Sequence, residues 1–112
     1  MAQEIKSCTP QEAQLAVTSD ASSTLIDVRE DAEMKEVAST VAKWFAMSVL
    51  NPETFAATSG IHKDKPLYVM CLSGGRSQRV ATALAAAGFS NVTNVAGGIK
   101  AWQAAGLPVK KG

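Results

Sequence analysis

Seven consecutive residues, Cys71-Leu72-Ser73-Gly74-Gly75-Arg76-Ser77, hold a nucleophile, two glycines and a cation. A loop of this kind between a strand and a helix can turn successive backbone N–H groups inward and form an anion cradle. The following helix adds its free N–H groups and the positive end of its dipole. Gly74 and Gly75 tolerate positive φ and bring no obstructing side chain, which permits tight curvature. Arg76 can close the loop with a fixed charge and a planar donor fork. A thiol at the centre of such a loop should be acidic, because the thiolate is the anion the cradle favours. Thiols at helix N-termini fall to ~3.5–7.5. The result is a neutral-pH nucleophile that needs no histidine base. Apolar strands also contain inert buried cysteines. It is the two glycines and Arg76 in the same loop that favour a reactive Cys71. The loop is not a nucleotide P-loop, since no Gly-Lys-Ser/Thr follows at the required spacing, and it carries no G-x-G-x-x-G fingerprint.

The elements that must position this loop can be read from patterning. Leu67-Tyr68-Val69-Met70-Cys71 is apolar on both faces, so it predicts a strand at the centre of a covered sheet. Reactive sites in open parallel sheets collect at the carboxyl ends of strands. A helix is predicted from about Arg76 to Ala87, with Val80, Ala81, Leu84 and Ala85 on one stripe and Gly88 as the stop. Thr9-Pro10-Gln11-Glu12 is a cap, proline and capping-box start for a helix running to about Val17. After the polar loop Ser19 to Ser23, Thr24 to Val28 predicts a buried strand ending at Arg29-Glu30-Asp31, where acidic residues favour a new helix. Residues 30–45 are helical at first and then undetermined. Asn51-Pro52-Glu53 predicts a helix closed by Gly60. Asn91 to Val95 predicts a strand, and Gly97-Gly98 a turn into a last helix from about Ile99 to Ala105, stopped by Gly106 with Pro108 beyond. Alternating strands and helices define an α/β fold around a mainly parallel sheet. There is no internal repeat, low-complexity tract or linker.

Composition bounds the function. With 112 residues, one domain over 1–112 is expected, and 46% hydrophobic with 19% charged residues suits a globular chain. Eleven basic and ten acidic residues leave a net charge of +1 without a Lys/Arg block, so nucleic-acid binding by a charged footprint has no support. The longest apolar run, Leu67 to Leu72, is far below the ~20 residues needed to cross a bilayer. Met1 to Lys6 has no apolar core of signal-peptide length. Cys8 and Cys71 lie far apart with no CxxC spacing, and His62 is the single histidine. Neither a disulfide framework nor a structural zinc site is expected. A cytoplasmic, reducing setting is the default expectation.

Three segments together resemble the single-domain rhodanese family of sulfurtransferases. They are Leu25-Ile26-Asp27-Val28-Arg29-Glu30, the Cys71 to Ser77 loop, and Gly97-Gly98-Ile99-Lys100-Ala101-Trp102 with Gly106-Leu107-Pro108-Val109. The resemblance implies a mostly parallel five-stranded sheet flanked by helices. It also implies a persulfide on Cys71, with the amides from Leu72 to Ser77 cradling its sulfur. Cys71 would take sulfur from a donor such as thiosulfate, releasing sulfite, and pass it to cyanide or a thiol, with no metal or organic cofactor. Arg76 would help hold the loop and attract the anionic donor. A protein is a further possible donor or acceptor. The family also contains sulfur-relay and protein-binding modules, which is the alternative reading. Cysteine phosphatases and arsenate reductases rank below both. They use Cys-x5-Arg to hold a tetrahedral oxyanion, and the Cys-x4-Arg ring here suits a single sulfur better. The chain departs from the family after its early strand. Many members carry Gly-His-Ile-Pro-Gly-Ala there, where this chain has Ala38-Ser39-Thr40-Val41-Ala42-Lys43 and then Trp44-Phe45.

Other residues have readings of their own. Asp27 ends a buried strand and must be hydrogen-bonded or paired, as a brace for the loop or a partner for an arginine. Arg29 is expected to pair with a neighbouring acid. Core packing is expected for Trp44 and Phe45, ahead of an exposed contact patch, and for Trp102. Cys8 reads as a bystander and His62 as a solvated surface residue.

Overall fold

The structure is a computed structural model that describes residues 5–111. The reading of the N-terminus as leaderless falls mainly on residues 1–4, outside the described residues. In chain order the elements are β1 (Lys6–Cys8), α1 (Pro10–Ser19), β2 (Thr24–Asp27), α2 (Asp31–Glu36), β3 (Ala38–Ser39), β4 (Lys43–Trp44), α3 (Phe55–Ser59), β5 (Leu67–Met70), α4 (Gly75–Ala86), β6 (Val92–Val95), α5 (Gly98–Ala104) and β7 (Val109–Lys110).

Five strands form a parallel sheet in the order β1-β6-β5-β2-β4. The strand that is apolar on both faces, β5, takes the middle place, where neither face meets water. Alternation along the strands sends Ile26, Val28, Val69 and Cys71 to one side, against Phe55 of α3 and Val80, Ala81 and Leu84 of α4. The other side takes Leu25, Met70 and Val95 against Ala13 of α1 and Ile99 and Trp102 of α5. Each large side chain buried this way contributes roughly 1.5–3 kcal/mol. The described helices include none long and apolar enough to cross a membrane.

The helix caps follow the expected chemistry. Thr9 Oγ1 accepts from the Glu12 amide at 3.2 Å, and the Glu12 carboxylate accepts from the Thr9 amide at 2.8 Å. Gly60 and Gly106 close α3 and α5 with φ of 77° and 73°. The helix predicted from Asn51 begins only at Phe55. Asn51 Oδ1 accepts from the Glu53 amide at 3.0 Å, so the cap forms a turn instead of the helix. β1, β3, β4 and β7 carry no sequence signal, since strands of two or three residues are too short to show periodicity. β3 and β7 pair antiparallel outside the main sheet. The expectation of core packing fails for Trp44, which lies on the edge strand β4 and is 44% exposed. Its indole N–H instead donates to the Arg29 carbonyl at 2.7 Å. Phe45 does pack inward, edge-on to Phe55 with ring centroids 5.0 Å apart. Trp102 is fully buried and His62 exposed, both as expected.

Candidate active site

Strand β5 stops at Met70, and the chain turns through Cys71 to Gly74 before α4 begins. The turn depends on Gly74, whose φ of 114° is unfavourable for any residue with a Cβ. Its amide donates to Cys71 Sγ at 3.1 Å. Gly75 is different from the expectation: its φ is ordinary and a Cβ there would meet open space. Leu72, Ser73 and Gly75 are exposed, while Cys71 is only 1% exposed at the base of the loop.

The loop is held from behind by α5. The amides of Ile99 and Lys100 donate to the carbonyls of Cys71 and Leu72 at 2.8 and 3.2 Å. Both carbonyls are thus engaged by α5 and the backbone of the loop's first two residues is fixed. The approach is so close that a Cβ on Gly98 would collide with the Cys71 and Leu72 backbone. The second glycine of Gly97-Gly98 is thus a packing requirement as well as a turn.

Ser77 and Asn94 complete the surroundings of the sulfur. Both are buried. Ser77 Oγ lies 3.3 Å from Cys71 Sγ and 2.5 Å from Asn94 Oδ1. Asn94 Nδ2 donates to the Gly74 carbonyl at 3.2 Å. A carbonyl only accepts, which fixes the amide's orientation and leaves Oδ1 facing Ser77. The single hydroxyl proton serves Asn94 while Cys71 is a thiol and can rotate to the sulfur once it is a thiolate. Burial pushes the Cys71 thiol up, but the Ser77 hydroxyl and the amides of Ser77, Gly74 and Ser73 outweigh it and hold the pKa below the ordinary 9.0.

Arg76 does not stand open to solvent as a free anion receptor. Its two terminal nitrogens donate to both carboxylate oxygens of Glu33 on α2, each at 2.6 Å. The Arg76 hydrogen bonds hold Glu33 down to about 2, so the pair stays ionised. The expectation that Arg76 attracts the donor is corrected to this extent: its charge is already matched within the chain.

Asp27 and Arg29 form a second pair, at 2.8 Å, with both side chains buried. Asp27 lies beside Met70 in the sheet, on the face opposite Cys71. Of its two expected roles, the arginine partner is the one realised. Arg29 also donates to the carbonyls of Glu33 and Val37 at 3.3 and 2.8 Å, which ties down the end of α2. The buried pair therefore supports the loop at one remove, by fixing the helix that carries Glu33. Removing one partner of such a pair costs about 3–5 kcal/mol, because the other charge is left buried alone.

Cys8 packs on the face opposite Cys71 and has no access to it as a resolving thiol. The loop, Asp27 and Arg29 are site residues that the sequence marks. Glu33, Asn94 and the close approach of Gly98 are not. Glu33 lies 43 positions from Arg76, and nothing local marks it.

A doubly covered parallel sheet, with one thiol in an amide-lined loop ahead of a helix, defines a class of cysteine-based anion cradles. The Rhodanese-like domain family model matches residues 9–105, and the chain belongs to that family. A protein named sulfurtransferase from Allochromatium vinosum is 33% identical over 76% of either chain. The Rhodanese-like/PpiC domain-containing protein 12, chloroplastic, of Arabidopsis thaliana is 37% identical over 70% of this chain but only 26% of its own length. The thiosulfate sulfurtransferase GlpE of Actinobacillus succinogenes is 45% identical over 42% of each. Among solved structures, the polysulfide-sulfur transferase homodimer of Wolinella succinogenes has a TM-score of 0.78 at 28% identity, covering 95% of this chain and 78% of that one. Rv0390 from M. tuberculosis, at 22% identity and a TM-score of 0.79 over 98% and 100%, shares the fold.

Proposed function

We propose that this protein is a sulfurtransferase that carries sulfane sulfur as a persulfide on Cys71. The thiolate attacks the outer sulfur of thiosulfate or another persulfide donor. A new S–S bond forms as the donor's own S–S bond breaks, and sulfite or the donor thiolate leaves with the electron pair. A thiophilic acceptor, cyanide or a thiol, then attacks the outer sulfur and regenerates the Cys71 thiolate. The observation that carries this reading is the sulfur itself, facing the Gly74 amide and the Ser77 hydroxyl and held more acidic than an ordinary thiol. The same donors would hold a persulfide anion, which needs no metal or organic cofactor. The relatives named as sulfurtransferases support it.

Intact-mass measurement after incubation with thiosulfate tests the proposal. An added ~32 Da, removed by reductant or cyanide and absent in Cys71→Ser, is expected of a covalent sulfur intermediate. An unchanged mass under turnover conditions would refute it.

A further inference from the structure

The arginine within the loop is already balanced by carboxylates. Glu33 occupies the Arg76 guanidinium in a two-point pair. Glu30 adds a second carboxylate, which accepts from the Ser48 amide and hydroxyl and whose field also reaches Arg76. Together these two carboxylates more than balance Arg76. A neighbouring cavity of about 280 Å³ offers no unmatched arginine, since Glu33 and Glu36 line it with Lys100, and its Arg29 is already matched by Asp27. Arg76 therefore adds little to the attraction that the loop amides and the start of α4 exert on an anion.

We infer that Glu33 is a specificity-determining residue: by holding the Arg76 guanidinium in an internal pair, it turns the site away from dianionic thiosulfate and toward organic persulfide donors of lower charge. The inference rests on the sulfur-transfer reading above and names its preferred donor class. Glu33 acts through Arg76 and touches no reacting atom. The bidentate geometry matters, because it balances the guanidinium charge and takes up the edge between its two terminal nitrogens, so an incoming sulfur oxyanion meets a neutralised cation with only its remaining N–H groups to offer.

The test compares two alkylating probes of similar size and different charge, iodoacetate and iodoacetamide, at Cys71 of the full chain, resolved from Cys8 by peptide mapping. Their rate ratio cancels any change in thiolate fraction or loop opening. Glu33→Gln keeps the oxygen that accepts from the Glu30 amide at 3.1 Å, so α2 retains its start. In this variant the iodoacetate-to-iodoacetamide ratio should rise about fivefold, the effect of one unbalanced charge at the edge of a solvated site. Thiosulfate loading, followed by mass, should rise further because the donor is a dianion. Both gains should shrink in about 0.5 M salt. The double variant Glu33→Gln with Arg76→Gln should return the ratio to the wild-type value. A ratio that stays level or falls in Glu33→Gln overturns the inference, since Arg76 would then already serve the donor in its paired state. A raised ratio without any sulfur adduct from thiosulfate overturns the sulfur-transfer reading instead, and the donor assignment with it.

Discussion

Cys8 and Cys71 occupy equivalent places in the fold, and their acidities are shifted in opposite directions. Each stands at the carboxyl end of a parallel strand, just before a helix. Both are desolvated. Burial, aided by the charge of Glu12, raises Cys8 to about 11, with only a weaker opposing backbone hydrogen bond. Burial also pushes Cys71 up, yet its thiol is lowered, because the Ser77 hydroxyl and the amides of Ser77, Gly74 and Ser73 stabilise the thiolate. A helix start beside a thiol is thus insufficient. At Cys8 the capping box uses the Thr9 and Glu12 amides internally and places a carboxylate nearby. At Cys71 the αL turn at Gly74 points an amide at the sulfur, and no side-chain cap competes for it.

Swapping the thiols one at a time should give the largest effect. Cys71→Ser should abolish the sulfur adduct and turnover, whereas Cys8→Ser should retain both. Loss of the adduct in Cys8→Ser with Cys71 intact would reverse the assignment. Next in size, Gly98→Ala pushes a methyl into the Cys71 and Leu72 backbone. A displacement of about 1 Å at a reacting centre can lower turnover on the order of 10²-fold. Turnover near wild type would show that the loop tolerates the movement. Ser77→Ala removes a donor to the sulfur and should raise the Cys71 pKa. A thiol made about tenfold less acidic reacts about tenfold more slowly with alkylating agents at neutral pH, readable as a displaced pH–rate profile. An unmoved profile would assign the stabilisation to the amides alone.

The smallest effect concerns Cys8 and stability. Its folded-state pKa lies above the unfolded value, so between about 9 and 11 the unfolded chain releases a proton that the folded chain retains. Stability is full below pH 9 and falls as pH rises through that window. Chemical denaturation at pH 8 and pH 10.5 should show the fall in wild type and a smaller one in Cys8→Ser. Identical pH slopes in the two proteins would remove Cys8 as the cause.

Much of this is legible locally. The apolar run Leu67 to Met70 predicts the central strand, Thr9 and Glu12 the capping box, and the Val80, Ala81, Leu84 and Ala85 stripe the buried face of α4. The segment from Ala38 to Trp44 is not, because two-residue strands carry no period and are defined only by their partners across the sheet. Trp44 departs from its expected place for a related reason. Its exposure follows from β4 being an edge, which is a property of strand order.

By itself the sequence determined the candidate nucleophile and what surrounds it along the chain: a thiol, then a glycine able to reverse the backbone, then a helix. These are short-range matters of φ, hydrogen-bond donors and hydrophobic period. Only the tertiary structure decided how that atom is tuned. Glu33, Asn94 and the α5 amides come from segments distant in sequence, and β-strand pairing with helix packing brings them to the loop. Electrostatic and hydrogen-bond effects depend on separation in space, and separation along the chain does not report it.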